Sequence, residues 1–206
     1  ESTDLAGGFS IVDLATDAVE LMNALDWPAA HVVGISMGGM VAQELVLHNA
    51  GRVRGLVIGC SYAGGPGSSL DAPGPMEMFQ AMQTGDLNQA IRAAYTANLS
   101  AEFTADEAHF APFYAASTAV RVPMATVMRQ AQAAAVHSTQ SRLTQITSPT
   151  LVMHGTSDRM LRYSNGELIA SLIPRARLHT FDDVGHLFWW EQPVPSATAI
   201  RDHLLA

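Results

Sequence analysis

Between residues 29 and 39 the chain reads Ala-Ala-His-Val-Val-Gly-Ile-Ser-Met-Gly-Gly, and no other stretch constrains the fold as much. An apolar run (Val32, Val33, Ile35) leads into Ser36, and a helical pattern (Met40, Val41, Leu45, Val46) starts at once behind it. Apolar residues of strand length passing straight into a helical period specify a strand that turns sharply into a helix, with serine at the bend. Such a bend pushes the hydroxyl out of the backbone. The helix beginning at Met37 then aims its unpaired amides and positive dipole end at any charge formed beside Ser36. Gly34 and Gly38 complete a Gly-x-Ser-x-Gly pattern, and a Cβ at either place is expected to collide as the chain doubles back. The pentapeptide alone is equally an ordinary turn with a serine N-cap; its flanking strand and helix favour a nucleophile.

A hydroxyl needs a base, and the base needs an orienting acid. Residues 149–155 (Pro-Thr-Leu-Val-Met-His-Gly) read as a short buried strand followed by the polar loop Thr156-Ser157-Asp158-Arg159. A second strand, Ala176 to Phe181, ends in Asp182-Asp183-Val184-Gly185-His186. Ser36, Asp158 and His186 therefore follow one another on loops beyond strand ends, where catalytic groups concentrate. Asp182 and Asp183 compete with Asp158 as the acid. Asp158 is preferred because its loop reaches the imidazole from the far side, where an orienting carboxylate belongs.

The segments HVVGISMGGMVAQEL, RVRGLVIGC, PTLVMHGTSDRM and VGHLFWWEQP resemble the α/β-hydrolase superfamily, in its serine esterase and lactonase branch. Enol-lactonases, cofactor-free haloperoxidases (perhydrolases) and small carboxylesterases are the similar groups, and the likeness spans the chain apart from a variable middle. It implies an α/β fold, a mostly parallel sheet flanked by helices with a helical cap inserted. It also implies Ser36 as nucleophile, His186 as general base, Asp158 as the acid, and the Met37 amide as half of an oxyanion hole. Family members place several strands, and the loop with the second oxyanion donor, ahead of the nucleophile strand. Here Glu1-Ser2-Thr3-Asp4 leads directly to a helix capped by Ser10 and Asp13, with Ile11, Leu14, Ala18, Leu21, Met22 and Leu25 on one face. The expectation is an amino-terminally truncated copy lacking the early strands and that donor, with activity expected of the longer protein and not necessarily of this chain alone.

The organisation expected is a core part over 1–65 with the Ser36 bend, a helical cap over 66–147, and a core part over 148–206 carrying the acid and histidine loops. The Gly- and Pro-rich run from Gly64 to Pro75 marks the exit from the sheet. Beyond it, helices are predicted over Met76–Gln83, Leu87–Leu99, Ala105–Thr118 and Val122–His137. Half of the ten methionines (Met76, Met78, Met82, Met124, Met128) fall in this insert. They either roof a pocket for apolar groups or simply pack cap helices together. The candidate pocket is Met37, Ser61, Met124, Met128 and Leu187.

With 48% hydrophobic and 15% charged residues, the 206-residue chain can build one sizeable core. The net charge of −8 argues against nucleic acid or an anionic membrane as partner. All eleven basic residues are arginine, which excludes Schiff-base chemistry on lysine. A lone cysteine, Cys60, excludes an internal disulfide and suits a reducing, cytoplasmic setting. No metal or cofactor motif occurs. His31 reads as a surface residue or one that backs the site from behind, and His154 either lines the site or is a buried, hydrogen-bonded histidine. The resulting expectation is a cofactor-free hydrolase acting on a small ester or lactone through an acyl-enzyme. A C–C hydrolase or perhydrolase with the same three residues, and a slow-turnover ligand receptor on the same fold, are the alternatives.

Overall fold

A computed structural model of the protein describes residues 8–120 and 122–206; the opening residues that suggested a lost front lie outside these. Helix α1 (Ile11–Ala24) starts in a capping box: Ser10 Oγ accepts the Asp13 amide at 3.2 Å, and Asp13 Oδ2 accepts the Ser10 amide at 2.7 Å. Its buried face is Ile11, Ala15 and Met22. Leu21 and Leu25, expected on that face, are 60% and 46% exposed. Leu21 lies about 100° around the helix from Met22, and Leu25 is already the C-cap.

The chain continues through β1 (Ala30–Ile35), α2 (Met37–His48) and β2 (Val53–Gly59). An insert of α3 (Gly74–Gln83), α4 (Leu87–Asn98), α5 (Ala101–Ala105), α6 (Phe110–Ala119) and α7 (Met124–Ala135) follows. The last segments are β3 (Thr150–Gly155), α8 (Tyr163–Leu172), β4 (Arg177–Phe181), α9 (Phe188–Glu191) and α10 (Pro193–Leu204). The sequence pattern predicts a single helix over 105–118. Asp106 interrupts it: the residue is extended and its carboxylate accepts the Ala108 amide at 2.9 Å, so the chain restarts through a short 3-10 turn.

Among the described residues the sheet is β1-β2-β3-β4, every pair parallel. Parallel neighbours need a crossover, and α2, the helical insert and α8 supply the three. All six residues of β3 are buried, as for an inner strand covered on both faces, while outer β1 exposes His31 and Val33. One face packs Leu56, Ile58 and Val152 against Leu45 and Val46 of α2 and Ile169 of α8. The other packs Val57, Leu151 and Met153 against Phe181 and Phe188. Each such side chain contributes about 1.5–3 kcal/mol. The insert has its own cluster, Ile91, Tyr95, Leu99 and Phe113, with Tyr95 edge-on to Phe110 and Phe113 at 5.2 Å. Among the described residues no helix is long and apolar enough to cross a membrane.

Because the strands run parallel, their carboxyl ends line one rim of the sheet. Ser36 follows β1, Cys60 follows β2, Asp158 lies just beyond β3, and His186 just beyond β4.

Candidate active site

Ser36 is held at φ 55°, ψ −121°, a left-handed conformation that costs a non-glycine residue about 1–3 kcal/mol. The surroundings enforce it. The Ser36 amide donates to Gly59 O at 2.8 Å, tying the bend to β2. Its carbonyl accepts from the Gly39 amide at 2.9 Å and from Ser61 Oγ at 2.8 Å. Met37 is the first residue of α2, where a helix leaves its amides without intrahelical acceptors. Gly34 is needed as expected, since a Cβ there would lie 2.2 Å from Gly38 O. Gly38 is not: a Cβ there would have nothing within 4 Å, and Gly39 carries the second close approach, 2.5 Å from Ser61 Oγ.

Asp158 and His186 meet as expected, with Asp158 Oδ2 2.7 Å from His186 Nδ1. Asp182 and Asp183 are exposed instead. Gly155 permits the meeting: a Cβ there would strike Val184 O at 2.2 Å, so the His186 loop crosses directly over it. The crossing is tied by Ser157 N to Val184 O at 3.0 Å and by Asp183 N to Thr156 Oγ1 at 2.8 Å. On the insert side, Glu191 accepts the Gly185 amide at 2.8 Å and the Ser100 amide at 2.9 Å, and the Leu187 amide donates to Asn98 O at 3.0 Å. The histidine loop is thus clamped between sheet and helical insert.

The carboxylate of Asp158 is saturated. Oδ1 accepts the amides of Met160 (2.7 Å) and Leu161 (2.9 Å), and Oδ2 accepts His154 Nε2 at 3.0 Å besides His186. Burial by itself would raise its pKa. The two imidazoles outweigh burial and hold the carboxyl well below the usual carboxylate range. An anionic Asp158 places the hydrogen of His186 on Nδ1 and leaves Nε2 as a lone pair, the tautomer of a base. His154 proves to be the buried, hydrogen-bonded histidine of the two readings, wholly covered but bound to the acid itself.

Nε2 of His186 faces Cys60 Sγ at 3.8 Å, and no hydrogen bond joins it to the Ser36 hydroxyl. Burial pushes the Cys60 thiol well up, the Asp158 charge adds to this, and the Ser36 amide opposes it. The Ser36 backbone and the His186 ring therefore contact the same buried thiol from two sides. Sequence reasoning left Cys60 without a role, although its place at the end of β2 puts it on the same rim.

The expected pocket residues sit in different surroundings. Ser61 is 1% exposed, with its hydroxyl bound to Ser36 O. Met124 and Met128 are about half exposed, and Leu187 packs on the aromatic cluster of the insert. Met37 stays beside Ser36, partly buried against Met40, Tyr62 and Leu161. Cavities of about 390 and 540 Å³ lie elsewhere, near His203 by the strands' amino ends and beside β4. Neither contains a residue of the Ser36 rim.

A profile of the alpha/beta hydrolase fold family matches residues 1–193. The 2-hydroxy-6-oxononadienedioate/2-hydroxy-6-oxononatrienedioate hydrolase of Cupriavidus pinatubonensis is 32% identical over 181 residues, covering 83% of this chain and 60% of that protein. The 3-oxoadipate enol-lactonase 1 of Acinetobacter baylyi is 25% identical over 93% of this chain and 70% of its own length. Among solved structures, a hydrolase from Pseudomonas aeruginosa PA01 superposes with a TM-score of 0.81 at 28% identity, over 99% of this chain and 75% of that one. With the strand–serine–helix bend and the row of loops at the sheet's carboxyl rim, these matches show that the chain belongs to the α/β-hydrolase superfamily.

Proposed function

We propose that this protein is a serine hydrolase that cleaves a small carboxylic ester or lactone through an acyl-enzyme on Ser36. The observation that carries the reading is the strained Ser36 bend on the same rim as an Asp158–His186 pair whose tautomer leaves Nε2 as a base. Ser36 Oγ attacks the carbonyl carbon while its proton passes to His186 Nε2. The oxyanion forms beside the Met37 amide at the start of α2, a contact of a kind worth about 3 kcal/mol in barrier height. Collapse expels the alkoxide, which takes the proton from Nε2, and a water activated by the freed imidazole releases the acid. The hydroxyl–imidazole contact forms with substrate bound, since such hydrogen bonds are commonly long in the free enzyme.

A second reading, hydrolysis of a C–C bond with the same three residues, is favoured by the 32% identity to the Cupriavidus hydrolase. A panel of p-nitrophenyl acetate, a γ-lactone, a vinylogous diketone and acetate with peroxide separates the readings. Turnover of the first two that is lost in Ser36→Ala supports the ester or lactone reading. Turnover of the diketone alone overturns it in favour of the second.

A further inference from the structure

His154 has no task in the proposed mechanism, yet it is wholly buried and bound to the acid. Its Nε2 lies 3.0 Å from Asp158 Oδ2 and 2.9 Å from Leu161 O, both acceptors, so that nitrogen carries the hydrogen. Its Nδ1 has no partner and is walled in by Gly166, whose added Cβ would lie only 2.6 Å away. A hydrogen on Nδ1 would be a buried donor with no acceptor, so the ring is a fixed donor at Nε2 alone.

The oxygen it serves is the one His186 uses. We infer that His154 is a positioning residue for the Asp158–His186 pair: its Nε2–H pins Oδ2 in place and withdraws part of that oxygen's basicity, which sets the pH at which His186 is free to accept a proton. The inference rests on the serine hydrolase reading above. Its physical basis is competition for one acceptor. A carboxylate that already accepts three other hydrogen bonds holds a protonated imidazole less strongly than one accepting two. Without the His154 hydrogen, Oδ2 would grip protonated His186 harder, and the imidazole would stay protonated, and idle, to higher pH. The other ionisable groups around the pair are already engaged or distant. Cys60 sits behind Nε2 of His186, Tyr163 stands edge-on to His154 at 5.8 Å, Arg159 turns to Glu77, and Glu191 is taken by Gly185 and Ser100.

The test is the rate of Ser36 labelling by a fluorophosphonate, followed against pH in the parent protein, His154→Met and His154→Gln. Methionine fills similar space without a donor, and glutamine offers an N–H near the Nε2 position. The acid limb should move up by about one pH unit in His154→Met and return to the parent position in His154→Gln. A merely structural role would lower the melting temperature of both variants and leave the limb where it was, and that result overturns the inference. Should His154→Met fail to fold, ¹⁵N-histidine NMR of the parent decides. His154 should keep its Nε2–H tautomer throughout the limb; an Nδ1–H tautomer overturns the inference. Absence of Ser36 labelling in the parent at every pH would instead remove the hydrolase reading beneath it, while leaving the tautomer result intact.

Discussion

His186 Nδ1 lies 2.7 Å from Asp158 Oδ2, and this bond decides which face of the imidazole is available for chemistry. Asp158→Asn would keep the side chain's shape but present an amide. All four of its present partners are donors, two on each oxygen, so the NH2 must face a pair of them, and facing the two imidazoles it no longer enforces the His186 tautomer. Turnover should fall about 10⁴-fold with little change in KM, measured by steady-state kinetics on the best substrate of the panel.

The two glycines flanking Ser36 should behave oppositely. Gly34→Ala drives a methyl into the Gly38 carbonyl and should cost about 3 kcal/mol or more. Gly38→Ala meets no atom within 4 Å and replaces glycine inside a helix, so it should stabilise by about 0.5–1 kcal/mol. Urea unfolding midpoints of the two variants check both signs.

How far the sequence carried can be judged from such positions. The strand–serine–helix bend, the Ser10–Asp13 box and the meeting of the Asp158 and His186 loops were all readable, because each depends on local pattern or on loop order along the sheet. What was not readable depends on approach between distant segments. Gly39, and not Gly38, meets Ser61, because β2 passes under α2 at that point. Cys60 meets His186 across 126 residues, and His154 reaches Asp158 only because the β3 loop folds back on its own strand. The surroundings of the pocket residues were not readable for a similar reason: spacing along the insert does not say which way its helices turn. A methionine on an amphipathic helix reads the same whether it faces the site or, like Met124 at 52% exposure, largely faces water.

Cys60 should be inert in the folded protein. Its thiol is fully covered and held protonated by burial, whereas reaction needs an accessible thiolate. Ellman's reagent should titrate no thiol under native conditions and one after unfolding in guanidinium. A fast native reaction would show that the rim opens far enough to expose it.

His137 makes stability fall with acid. It is buried, with Nδ1 3.8 Å from Glu44 Oε1 and unpartnered by any hydrogen bond, and burial pushes its pKa down from 6.5 to about 4. Between those values the unfolded chain takes up a proton that the folded one refuses. The contribution is therefore whole above about pH 6.5 and is lost as pH falls toward 4, up to about 3 kcal/mol in all. Unfolding free energies across that window should show the decline, and His137→Gln should flatten it.

The central claim is that Ser36 is a nucleophile activated by His186, and mass spectrometry of the fluorophosphonate adduct tests it most directly. The parent should gain a single adduct, mapped to Ser36, and His186→Ala should form it at least about a thousandfold more slowly. An adduct at another residue, none at all, or an unchanged rate in His186→Ala would contradict the account.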